Sequence, residues 1–128
     1  MVKKTLAESE LQGLSPCIIS GMDKQTINTI VQTCKEVLST SYGACLRGII
    51  LYGSMARGDA EAGSDIDLLV LLSSPFDYFA ELRKIVDLLY PIQLESDRLI
   101  SAKPALASDY ELGSLSLYRN AKREGVVV

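Results

Sequence analysis

Histidine is missing from this chain of 128 residues. That absence removes Ser-His and Cys-His catalysis and any imidazole metal ligand. An excess of positive charge is missing as well. Thirteen Lys and Arg face 16 Asp and Glu, for a net charge of −3. Nucleic-acid binding through broad electrostatics needs clustered Lys and Arg, so direct binding of that kind is argued against. No apolar run approaches the roughly 20 residues of a membrane span. The run Cys17-Ile18-Ile19 is too short for a signal peptide, and a cytoplasmic protein is expected. Cys17, Cys34 and Cys45 lack metal-ligand spacing, and Cys34 sits on an apolar helical stripe that reads as a reduced, buried thiol. Repeats, low-complexity tracts and linkers are absent. The length is expected to give one domain over 1–128, with a modest core and no separate substrate domain.

What is present is concentrated between residues 49 and 72. The apolar run Ile49-Ile50-Leu51-Tyr52 ends in Gly53-Ser54-Met55-Ala56-Arg57-Gly58-Asp59. A strand ending in such a small-residue turn can bring its backbone close to a phosphate, and Gly53 removes the Cβ that would stand in the way. Ten residues separate Ser54 from Asp65, which opens Asp65-Ile66-Asp67-Leu68-Leu69-Val70. Strand side chains alternate, so Asp65 and Asp67 project to one face. Mg²⁺ takes one or two protein carboxylates together with substrate phosphate oxygens, and a Mg-nucleotide site needs this pairing of cradle and carboxylates. A Walker A loop is excluded although Gly53 and Gly58 have its spacing, because Asp59 and Ala60 stand where Lys and Ser/Thr are required.

Gly53-Ser54-x-Ala56-Arg57-Gly58 with Ser64-Asp65-x-Asp67-Leu68 resembles the signature of the DNA polymerase beta-like nucleotidyltransferases, in particular their minimal single-domain branch. The tail Leu117 to Val126 is similar to that family's closing helix. The resemblance implies the nucleotidyltransferase fold and transfer of a nucleoside monophosphate, AMP from ATP above all, onto an acceptor hydroxyl. It implies two Mg²⁺ ions, which Asp65 and Asp67 would bridge, with Gly53 and Ser54 holding the triphosphate. It further implies a third metal-binding carboxylate on the next strand, assigned to Asp97 with Glu95 as the alternative. Arg98 departs from the family pattern, which has an aliphatic residue there. The acceptor implied by the minimal branch is a tyrosine on a small helical HEPN-type toxin, with this chain as the antitoxin. The competing reading is a nucleotide- or partner-binding module that acts by complex formation. Arg57 could touch phosphate or pair with Asp59 or Glu61. The tail cations Arg119, Lys122 and Arg123 read as a solvated helix face.

The coarse architecture is α/β (α+β), a small mixed sheet with helices packed on it, with a motif core over 45–101. A helix over 23–38, capped by Asp23, carries the stripe Ile27, Ile30, Val31, Cys34, Val37 and Leu38. Strands follow over 45–52 and 65–72, the second apolar on both faces and therefore covered on both sides. Pro75 suits the start of a helix over 76–89 that buries Phe79, Leu82, Val86 and Leu89, and Tyr90-Pro91 ends it. A third strand is expected over 92–101. The stretch 105–113 reads as a loop or a short turn of helix. A last helix over 115–124 stops at Gly125.

Overall fold

The computed structural model describes residues 15–58 and 63–128. Helix α1 (Ser15–Tyr42) leads through a 3₁₀ turn (Gly43–Cys45) into β1 (Leu46–Tyr52), and a single helical turn α2 (Ser54–Arg57) follows. Next come β2 (Ile66–Leu72), α3 (Tyr78–Glu95), β3 (Ile100–Leu106), α4 (Ala107–Leu112), α5 (Ser116–Glu124) and the short β4 (Val126–Val127). The sheet order is β3-β2-β1-β4. β1 runs antiparallel to β2 and to β4, whereas β2 and β3 are parallel, joined by the crossover helix α3. This is the expected α/β architecture, a small mixed sheet with helices packed on it.

Alternation along the strands sorts the core into two layers. Ile49, Leu51, Ile66, Leu68, Val70, Leu72 and Ala102 face Val31, Cys34 and Leu38 of α1 and Ile85 and Leu89 of α3. On the other face Ile50, Tyr52, Leu69, Leu71 and Ala105 meet Tyr110 of α4 and Tyr118 and Ala121 of α5. β2 is thus covered on both sides, as its two-faced apolar pattern implies. The α1 stripe is core, as expected. Asp23 does not cap that helix, because α1 begins at Ser15 and Asp23 lies inside it.

Three expectations fail around α3. The helix begins at Tyr78, not beside Pro75. Its N-cap is Asp77, whose side chain accepts from the Phe79 and Ala80 amides at 3.1 and 3.2 Å. Its buried face is also rotated: Ile85 and Leu89 are buried, while Phe79 and Val86 are 75% and 53% exposed. Finally, Pro91 does not end it. The helix continues to Glu95 because Ile92 packs against the core and Gln93 clamps the exit, donating to the Arg98 carbonyl at 3.0 Å and accepting from the Ile100 amide at 2.7 Å. Pro91 and Asp87 both face solvent, so water can reach the carbonyl that the missing N–H leaves unpaired.

The third strand therefore lies over Ile100–Leu106, displaced from the expected 92–101. Pro104 sits within it, opposite Val70. β3 is an edge strand, where a residue without an N–H costs no ladder bond on the open side. After α5, Gly125 adopts an extended φ of −81°, so it is not a left-handed cap. It is glycine for lack of room: a Cβ there would collide with the Ala121 carbonyl and lie 2.6 Å from Ile50 Cγ2. That close approach lets β4 turn back onto β1, pairing Val127 with Ile50 and Val126 with Leu51.

Candidate active site

The end of β1, the turn after it and the start of β2 meet at one point. Gly53, at φ +78°, caps α2, whose amides from Ala56 and Arg57 donate to the Gly53 carbonyl at 3.1 and 3.0 Å. Ser54 begins that turn, where amides have no intrahelical acceptor. Tyr52, the last residue of β1, pairs directly with Asp67 of β2. A Cβ built on Gly53 would run into Asp67 Oδ2, so glycine is required there by both its conformation and its neighbour.

Asp67 is half-buried and Asp65, just ahead of the strand, is exposed. Burial pushes the Asp67 carboxyl above the usual carboxylate range. Lys103 opposes that shift, the Asp65 charge reinforces it, and Arg57 opposes it more weakly. All three charges therefore act at the Asp67 carboxylate. Tyr52, buried beside it, has its phenol pushed up to about 12 by burial and by the Asp67 charge. Among the described residues, neither carboxylate accepts a hydrogen bond or enters an ion pair. Two such oxygens sets beside a glycine turn fit a hard divalent cation that keeps substrate oxygens in its remaining positions.

The other expected residues lie elsewhere. β3 runs alongside β2 with Ser101 beside Asp67, and Asp97 is exposed in a bend four residues upstream. That bend is closed by the Ser96 hydroxyl, which bonds both the Arg98 amide and carbonyl, at 3.0 and 2.9 Å. Glu95 ends α3 and lines a cleft of about 420 Å³ with Thr26, Thr29 and Pro91, between α1 and α3. That helix layer covers the sheet face opposite Asp67. Among the described residues no three Cys, Asp or Glu side chains gather as a metal site. β3 itself places no carboxylate beside Asp67. In its place stand Ser101 and Lys103, which the sequence reading passed over because it set the strand frame too early. The signal was available: Ile100-Ser101-Ala102 alternates like a strand, once Pro104 is allowed at an edge.

Arg57 Nη1 donates to Glu124 Oε1 at 3.2 Å, tying α2 to the end of α5. The pairing with Asp59 or Glu61 falls outside the described residues. Arg119 donates to the Gly113 carbonyl at 2.7 Å, Lys122 binds Glu111 at 2.9 Å, and Arg123 binds Asn120 at 2.7 Å. These tail cations brace their own helix pair.

A carboxylate pair lies against a glycine turn at the open end of a mixed sheet. The chain belongs to the nucleotidyltransferase domain family, whose model matches residues 31–128, and it is a nucleotidyltransferase. Among its relatives is the "Putative protein adenylyltransferase MJ0604" of Methanocaldococcus jannaschii, 34% identical over 97 residues, which span 73% of this chain and 88% of the relative. A second protein of that organism with the same description, MJ0141, is 36% identical over 72 residues, 56% of this chain and 72% of its own. Among the described residues no helix is long and apolar enough to cross a membrane.

Proposed function

We propose that this enzyme transfers AMP from Mg-bound ATP to a hydroxyl group of a protein. The observation that carries the reading is the closeness of Asp67 to Gly53, where even a Cβ would collide with the carboxylate, so that a phosphate-approach turn adjoins a carboxylate pair. The description of the relatives as protein adenylyltransferases supports adenylate as the group and a protein as the acceptor. A tyrosine of a small helical HEPN-type partner is the candidate acceptor from the family resemblance, in an antitoxin role.

In the reaction the acceptor oxygen attacks the α-phosphorus, a new O–P bond forms, and the bridge to the β-phosphate breaks. Pyrophosphate leaves and the hydroxyl proton passes to solvent. Asp65 and Asp67 would hold Mg²⁺, which when bound offsets the charge developing on the phosphate oxygens. Gly53 admits the triphosphate to close range, and Ser54 offers its amide and hydroxyl at the start of α2. Arg57, fixed by Glu124, contributes positive potential at the same end of the sheet.

The test is label transfer from ATP to a protein acceptor such as a HEPN-type partner. Label at the α-phosphorus should stay on the denatured acceptor, label at the γ-phosphorus should not, and chelation of Mg²⁺ should abolish retention of the α label. A stable complex that never acquires label would replace transfer with a binding role, the reading that the lack of a gathered carboxylate trio among the described residues favours.

A further inference from the structure

The parallel register of β2 and β3 pairs Asp67 with Ser101 and Leu69 with Lys103. Leu69 and Ala105 belong to the sheet face that α4 and α5 cover, so by alternation Lys103 shares that face with Ser101 and Asp67. Its ammonium does not extend outward along β3. Nζ donates to Ser101 Oγ at 3.2 Å, bending back toward the start of the strand where Asp67 stands.

A second divalent ion beside Asp67 would need anionic donors from the neighbouring strand. The neighbour supplies a neutral hydroxyl and a cation. No third carboxylate joins Asp65 and Asp67 among the described residues. A Mg²⁺ placed on the β3 side would sit against a like charge with nothing to offset it. The same ammonium is well suited to a phosphate oxygen, since a charged N–H donor gives short, strong bonds to anionic acceptors.

We propose that the site takes one divalent cation, on Asp65 and Asp67, and that Lys103 supplies the second positive charge by binding the nucleotide phosphate directly. This rests on the nucleotide-transfer reading above. It changes the family expectation of two ions into one ion and one lysine, with Ser101 holding the ammonium in place when no nucleotide is bound.

The experiment counts Mn²⁺ by electron paramagnetic resonance on the intact chain saturated with α,β-methylene-ATP, and measures that nucleotide's affinity by calorimetry. The wild type should bind one Mn²⁺ per nucleotide. Lys103→Met should weaken nucleotide binding by roughly 10- to 100-fold, the span of a hydrogen bond to a charged group, while Lys103→Arg keeps most of it. The double variant Ser101→Asp/Lys103→Ser should acquire a second Mn²⁺. Two Mn²⁺ on the wild type, or undiminished affinity in a folded Lys103→Met, would overturn the single-cation assignment and leave the nucleotide site standing. A wild type that binds no nucleotide at all would overturn both. The wild-type count needs no variant to fold, so it decides the matter alone.

Discussion

As the proposed metal ligand, Asp67 would set folding against function at one side chain. Its carboxyl is raised by burial, so the ionised form costs the folded state. The sign follows from linkage: with the folded value above the unfolded one, the stabilising contribution is complete below the unfolded value and disappears as pH rises through the raised value. Asp67→Asn should therefore leave stability at pH 7 within about 0.5 kcal/mol of wild type or raise it, measured by urea titration. The same change should lower the transfer rate by about 10²-fold or more. Mg-dependent nucleotide binding should fall off on the acid side at a higher pH than an ordinary aspartate would give. Gly53→Ala combines a positive φ with a collision at Asp67, and should cost about 1–3 kcal/mol as well as nucleotide affinity. Cys34 offers a contrast. It is buried, with its thiol pushed up to about 11, whereas Cys45 is exposed. In a Cys17→Ser background a thiol reagent at pH 8 should modify Cys45 and leave Cys34 untouched until the chain is unfolded.

At the level of elements, punctuation residues were the hardest part of the sequence to read. The strands carrying the site were legible because Ile49 to Tyr52 and Ile66 to Leu72 are apolar runs bounded by turn residues, and their alternation places the carboxylates without further information. Pro91 and Pro104 misled because each sits inside an element at a place that spares its missing N–H: Pro91 on an exposed helix face, and Pro104, its ring buried, on an edge strand. A missing N–H is tolerated there, and only tertiary position reveals it. That error moved the third strand, and with it the residue beside Asp67. Gly125 was legible as a helix end but not as the pivot for β4, since its need for space depends on Ile50 and Leu51, far away in sequence. Two measurements follow. Pro91→Ala restores a donor toward the Asp87 carbonyl and should stabilise the fold by about 1–3 kcal/mol in denaturant titration. Gly125→Ala should destabilise by a similar amount through overpacking, and the loss should include amide protection at Ile50 and Leu51.

Across the whole molecule, the sheet has one face sealed by α1 and α3 and another only partly covered by α4 and α5. The proposed catalytic end lies on the second face, at the boundary between apolar packing and solvent, where Leu69 gives way to Asp67 along one strand. This arrangement lets β2 be the most buried strand and still present a carboxylate; Leu68, Leu69 and Val70 are fully buried. Their amides should be the slowest to exchange with deuterium, and those of the exposed β4 the fastest. The central claim is that one ligand is gripped jointly by the Gly53 turn and the two aspartates. The most direct measurement is the paramagnetic broadening of backbone amide resonances by Mn²⁺ with α,β-methylene-ATP. Broadening centred on Gly53, Ser54, Asp65, Asp67 and Ser101 is the predicted result. Broadening centred on the cleft between α1 and α3, with those five signals unchanged, would contradict it.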